Sequence, residues 1–438
     1  MPIMASARRA SIGLIAAAAA IFATAAFAQT EPKPVKIDAA DTAWMITATA
    51  LVLMMSIPGL ALFYAGMVRK KNVLATMVQT FAAVSLGSIV WLAVGYSLVF
   101  SGDGPAIGNF ARIFGNGMDL ESVNSLAKNI PEVVFMLYQM TFAVITVALV
   151  AGSVADRMRF SAFLWFVIGW LLLVYIPIAH WVWGGGFLQT AGVLDFAGGT
   201  VVHLNAGVAG LVAAFLLGKR RGYGTENLAP HDLTLAVIGT GLLWVGWFGF
   251  NGGSALGANS RAGFAIATTH LAACAGALTW MLLEWLDRGK PSVLGMISGA
   301  VAGLGTITPA SGFVLPWHGI VIGIIAGGIC FWACTKLKTK LGYDDSLDVF
   351  GVHGIGGAAG TLLTGVFAVA AIGETAGALE GNANQILNQL YGIGVTLAWS
   401  SVVTLVLLKV INLLVPLRVR DEDERAGLDL ALHGEALQ

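Results

Sequence analysis

Apolar residues run along this chain in long blocks broken by short polar punctuation. A helix that crosses a bilayer core needs about 20 mostly apolar residues. Eleven blocks reach or approach that length, at 43–68, 74–100, 131–153, 160–181, 197–217, 233–252, 262–286, 293–309, 317–335, 349–372 and 388–415. The eighth is short and rich in glycine. The pattern predicts an all-α polytopic membrane protein with eleven transmembrane helices and a charged tail at 417–438. Ahead of the first block, residues 1–28 read as a signal peptide. Arg8 and Arg9 form a basic start, 11–26 is alanine-rich and apolar, and Ala26-Phe27-Ala28 fits a small-x-small cleavage site. Cleavage there leaves 29–416 as the membrane domain and puts its N-terminus outside the inner membrane of a bacterium.

The basic residues test that orientation. With the N-terminus outside, the inner segments carry 17 Lys and Arg residues and the outer ones 5. The positive-inside rule then gives an N-out, C-in chain with an odd number of spans.

Composition narrows the function classes. The chain is 57% hydrophobic and 11% charged, and its net charge of zero gives no bulk attraction for nucleic acid. The 56 glycines and 13 tryptophans suit close helix packing and membrane interfaces. Cys274, Cys330 and Cys334 make no disulfide framework. Cys330 and Cys334, one turn apart, read as small residues on one helix face, since thiolate metal sites need three or four ligands.

Eleven spans divide into five plus five with one trailing, so the second set of five has inverted topology. The first repeat covers about 43–217, the second about 233–372, and the eleventh helix about 388–415. DFAGGTVVH at 195–203 and DVFGVHG at 348–354 each put an Asp before a span and a His inside it. His203 approaches from one leaflet and His353 from the other, so the pair is expected to meet near mid-membrane. An ionisable group there is costly unless it is paired or lines a cavity. As neutral imidazoles they offer a polar rail or a proton relay in an apolar tube. Asp195 reads equally as an N-cap of the fifth span and as an electrostatic aid to cations or protons. Asp348 reads as an N-cap of the tenth. A metalloenzyme reading fails on ligand number: two histidines are too few, and no HExxH, CxxC or carboxylate cluster accompanies them. No cofactor is expected.

Longer strings carry a family likeness: PGLALFYAGMVRKKN at 58–72, RFSAFLWF at 159–166, YIPIAHWVWGGG at 175–186, DFAGGTVVHLNAG at 195–207, GWFGFNGGS at 246–254, RGKPS at 288–292 and DVFGVHGIGG at 348–357. On these the chain resembles the Amt/Mep/Rh ammonium transporters, of the bacterial Amt type, from about Asp41 to His433. The resemblance implies an eleven-helix bundle of two inverted five-helix repeats, a homotrimer with one pore per subunit, ammonium or methylammonium as substrate, and no enzymatic activity. It implies an outer binding site at Phe142, Trp183 and Ser254, with Tyr138 where relatives often have Phe. It also implies a blocking pair at Phe142 and Phe250, twin pore histidines at His203 and His353, and Asp195 as the acidic residue beneath the outer site. The tail resembles a regulatory segment that works with a PII-type signalling protein, although Ala426 stands where Glu is common.

Overall fold

In a computed structural model, residues 36–437 are described; the expected signal peptide at 1–28 lies outside them. Among the described residues, ten helices are long and apolar enough to cross a membrane. In chain order they are α1 (Ala39–Met67), α2 (Lys70–Phe100), α3 (Glu132–Val154), α4 (Phe160–Thr190), α5 (Gly199–Leu217), α6 (Leu233–Gly253), α7 (Ser260–Arg288), α9 (Pro316–Leu341), α10 (Phe350–Phe367) and α11 (Asn384–Leu414). Between α7 and α9 stands the shorter apolar α8 (Val293–Ile307), which makes eleven. Among the described residues the only β-type pairings are two isolated bridges.

Every expected span is present, and the differences are at the ends. Two helices close the tail, α12 (Asp421–Ala426) and α13 (Leu428–His433). The tenth span was expected to reach 372, but α10 stops at Phe367, because Ala368 turns extended and Val369 gives its N–H to the Phe313 carbonyl. The eighth stops early too. Fifteen residues at 1.5 Å each make about 22 Å, short of a bilayer core of about 30 Å. The chain then runs irregularly through 308–315, most of it buried. Irregular backbone at membrane depth survives only when protein covers it. Here Phe196 N–H bonds the Pro309 carbonyl at 3.0 Å, Arg261 Nε bonds the Gly312 carbonyl at 2.8 Å, and the Thr268 hydroxyl bonds the Ser311 carbonyl at 3.0 Å.

Consecutive spans alternate in direction, so the loops collect at two ends. One end carries 101–131, 191–198 and 254–259 and is called the aromatic end. The other carries 155–159, 218–232, 342–349 and the tail, and is called the basic end. α5 starts at the aromatic end and α10 at the basic end. They cross where a Cβ on Gly207 would overlap the backbone of Gly354, so glycine there permits a close approach of the two helices.

Candidate functional site

At the aromatic end, a cavity of about 200 Å³ is lined by Phe142, Trp183 and Ser254, together with Phe100, Phe135, Gln139 and Phe196. Trp183 meets Phe142 edge-on, with centroids 5.6 Å apart and planes at 87°. Its indole N–H bonds the Asp195 carbonyl at 2.8 Å, so its donor is already engaged. Ser254 caps the end of α6. Its hydroxyl donates to the Phe250 carbonyl at 2.9 Å and keeps lone-pair capacity as an acceptor. Tyr138 is fully buried and does not line this cavity. It stands edge-on to Phe142 at 5.0 Å, and its hydroxyl bonds the Phe250 carbonyl at 2.7 Å and lies 3.2 Å from Ser254 Oγ.

The floor of the cavity is a pair of rings. Phe142 and Phe250 lie 4.3 Å apart, centroid to centroid, at 32°. Beyond Phe250 the passage narrows to about 10 Å³ of free volume, close to the smallest space that holds one water. Its lining is apolar apart from Trp247, His203 and His353. The two Nδ1 atoms are 3.1 Å apart, and the imidazole planes differ by 12°. Such a contact needs one Nδ1–H donor and one Nδ1 acceptor, so one proton is shared and the two Nε2 atoms differ, one donor and one acceptor. His203 Nε2 is buried without a protein partner.

The local chain explains the meeting. His203 sits in a π-helical turn at Gly199–Leu204, and its N–H reaches the Gly198 carbonyl five residues back. His353 sits in the matching π-helical turn at Phe350–Ile355. Such turns widen a helix locally and re-aim its side chains.

His353 also lines a cavity of about 300 Å³ that continues to the basic end, past Phe63, Trp280, Phe331, Lys338 and Asp348. The three cavities thus lie in series: vestibule, ring pair, narrow section, vestibule.

The two aspartates behave differently from each other. The Asp195 carboxylate accepts from Gly198, Gly199, Thr200 and Val201 N–H and from the Thr200 hydroxyl, at 2.6–3.2 Å. Asp195 caps α5 and does not line the passage. Asp348 was expected to cap α10 and does not. It adopts φ +59 and pairs with Lys338 at 2.7 Å. The residue that bonds the α10 head is Asp345, whose Oδ2 accepts from Phe350 N–H at 2.7 Å. It stands eight residues before His353, as Asp195 stands eight before His203. Burial pushes the Asp345 carboxyl above the ordinary carboxylate range, against the pull of Lys338.

The tail is docked at the basic end. The Asp429 carboxylate accepts from Ala75 N–H at 2.8 Å, and Leu428 N–H donates to the side-chain Oδ1 of Asn72 at 2.8 Å. Glu424 accepts from Arg221 N–H at 2.6 Å and pairs with Arg418 at 2.8 Å.

Residues 43–437 match the profile of the Ammonium Transporter Family. The chain belongs to that family. An ammonium transporter of Bacillus subtilis is 48% identical over 90% of this chain and 97% of its own. One of Aquifex aeolicus is 47% identical over 97% of this chain and 98% of its own. Among solved structures, Saccharomyces cerevisiae Mep2 aligns with a TM-score of 0.82 at 38% identity, over 88% of this chain and 89% of its own. A protein described as a sensor Amt protein aligns with a TM-score of 0.82 at 28% identity, over 90% of this chain and 98% of its own. The protein is therefore a multi-pass membrane ammonium transporter.

Sequence reading of the transporter missed Trp247, Thr308 and Asp345. Trp247 lies within the GWFGFNGGS string but resembled one more packing aromatic. Asp345 was hidden by Asp344 and Asp348 on either side; the equal eight-residue spacing to each histidine was the signal that marks it.

Proposed function

We propose that the protein recruits NH₄⁺ at the aromatic-end vestibule, removes its proton, and conducts NH₃ past His203 and His353. The observation that carries this reading is the narrow apolar section between two vestibules, broken only by Trp247 and the paired imidazoles and closed above by Phe142 and Phe250. A cation gains about 0.5–2 kcal/mol against an aromatic face, and Phe142 and Trp183 offer such faces, with Tyr138 fixing Phe142 and Ser254 from behind. The Ser254 hydroxyl accepts a hydrogen bond from ammonium; K⁺ has none to give. A bare cation in the dry section costs several kcal/mol or more, and leaving the proton behind near Phe142, Phe250 and Asp195 avoids that cost. The Asp195 carboxylate, bound by four N–H groups at the head of α5, lies near the vestibule, and the donor–acceptor pair of Nε2 atoms suits a small polar molecule passing in single file.

The same reading assigns 1–28 as a cleaved signal peptide, 29–416 as the transporter domain of two inverted repeats and a last helix, and 417–438 as a regulatory tail. It puts the protein in the bacterial inner membrane with the aromatic end periplasmic and the basic end cytoplasmic, as a homotrimer for nitrogen uptake. The docked tail beside the basic-end vestibule favours a PII-type protein as the cytoplasmic partner.

The test is a solid-supported membrane current in proteoliposomes. NH₄⁺ and methylammonium pulses give a current and K⁺ gives little. The His203→Ala/His353→Ala double variant loses the selectivity. If that variant behaves as wild type, the twin-histidine passage is not the route.

A further inference from the structure

Trp247 is buried and stands between the two functional features of the passage. Its ring lies 5.5 Å from His203 with planes only 16° apart, and 5.6 Å from Phe250, one of the blocking pair. Its indole N–H bonds Thr308 Oγ1 at 2.9 Å, and the Thr308 hydroxyl in turn donates to the Leu304 carbonyl at 2.7 Å. Thr308 is fully buried and does not line the passage. It is the residue at which α8 stops. The early stop therefore puts a hydrogen-bond acceptor at the depth of the histidines. Gly305, three residues before it, fits the assignment: a Cβ there would lie 3.7–3.8 Å from the two Nδ1 atoms.

Only one nitrogen of the His203 ring is held by a hydrogen bond. Nδ1 meets His353, but Nε2 has no protein partner. A hydrogen bond between two imidazoles is directional and weakens as the rings tilt. A flat indole locked against one face supplies the missing restraint.

We propose that Trp247, locked by Thr308, is a positioning residue that holds the His203 imidazole in line with His353 and keeps the indole N–H out of the passage. The inference rests on the twin-histidine reading given above. Without the Thr308 hydroxyl, the indole N–H is left buried and unpaired, so the ring turns to find an acceptor in the passage. It then crowds the bulkier substrate most.

The test compares wild type, Thr308→Val and Thr308→Ser in proteoliposome currents, with a cryo-EM structure of the valine variant. In Thr308→Val the methylammonium current falls roughly tenfold more than the ammonium current, the order of discrimination that one carbon carries in a tight site. Thr308→Ser restores the wild-type ratio. The cryo-EM map shows the His203 ring tilted from the His353 plane. A variant with reduced folding lowers both currents by one factor and leaves the ratio unchanged, so an unchanged ratio overturns the proposal. An unmoved imidazole in the map overturns it as well, whether or not the protein conducts. Absence of any ammonium current in wild type instead removes the transport reading.

Discussion

Trp183 gives its indole N–H to the main-chain carbonyl of Asp195, 2.8 Å away, while the carboxylate of that same Asp195 gathers the head of α5. One residue therefore orients the vestibule aromatic through its backbone and starts the histidine-bearing helix through its side chain. Asp195→Ala leaves four buried N–H groups without their acceptor. The expected cost is about 3 kcal/mol or more, seen as a lower melting temperature in detergent, with loss of the ammonium current. Asp195→Asn keeps one acceptor oxygen and falls between. An alanine variant that melts and conducts like wild type would remove both roles.

Ser254 carries the chemical difference between ammonium and K⁺. Ser254→Ala removes the acceptor and leaves the aromatic faces in place. A hydrogen bond to a charged group is worth about 1.5–3 kcal/mol, so the half-saturating ammonium concentration rises roughly tenfold or more while the maximal current changes less. The check is a concentration series of ammonium pulses. Equal half-saturation in both proteins would mean that the hydroxyl only caps α6.

The crossing of α5 and α10 sets the histidine spacing. Gly207→Ala drives a methyl group into the Gly354 backbone. Overpacking of this kind costs about 1–3 kcal/mol, and its relief separates the imidazoles. The expected result is a lowered melting temperature together with a changed ammonium-to-K⁺ current ratio. If only the melting temperature moves, the crossing is structural and does not set the pore.

Arg220 and Asp344 form a buried bidentate pair at the basic end, with contacts of 2.8 Å and 3.0 Å. Burial alone would raise the Asp344 carboxyl, but the hydrogen bonds and charge of Arg220, with help from Arg157, hold it below the ordinary carboxylate range. A depressed carboxyl adds stability above its unfolded pKa of about 3.9 and loses it as the pH falls through the folded value. Melting temperature is therefore insensitive to this pair from neutral pH to about 4, then drops. Arg220→Ala leaves a buried charge alone and costs about 3–5 kcal/mol at neutral pH; burial then raises the carboxyl, so acidification relieves part of that cost and the drop seen in wild type is lost. A variant whose pH profile overlays that of wild type would show the pair to be incidental.

What was legible in the sequence followed from solvent. A bilayer requires long apolar blocks, so all eleven spans stood out, and even the shortness of α8 was visible at 293–309. His203, His353 and Trp183 lay in strings specific enough to single them out. The backbone was less legible. The π-helical turns at Gly199–Leu204 and Phe350–Ile355 depend on which carbonyl an N–H selects, and composition does not encode that choice. The capping role passed from Asp348 to Asp345 because Lys338 draws the Asp348 carboxylate away. Tyr138, grouped with the vestibule residues, turned out to brace them from behind, a distinction that needs three dimensions.

The docked tail provides the last test. Glu424 is almost wholly buried, although it lies in the most charged stretch of the chain. It joins Arg221 N–H to the Arg418 guanidinium, so one carboxylate ties the tail to the segment after α5. Glu424→Ala removes that tie and leaves a half-buried guanidinium without its partner. Asp429 and Leu428 still hold the Asn72 region, but the hairpin between them is freed. The expected outcome is faster trypsin cleavage after Arg425, while the unfolding free energy of the membrane-spanning bundle stays within about 0.5 kcal/mol of wild type, the range of changes away from a packed core. Glu424→Gln, which keeps an acceptor but not the charge, is expected to be cleaved at an intermediate rate. Equal cleavage of all three proteins would mean that the tail is held by its apolar contacts through Leu428 and Val419 and that the buried carboxylate contributes nothing to docking.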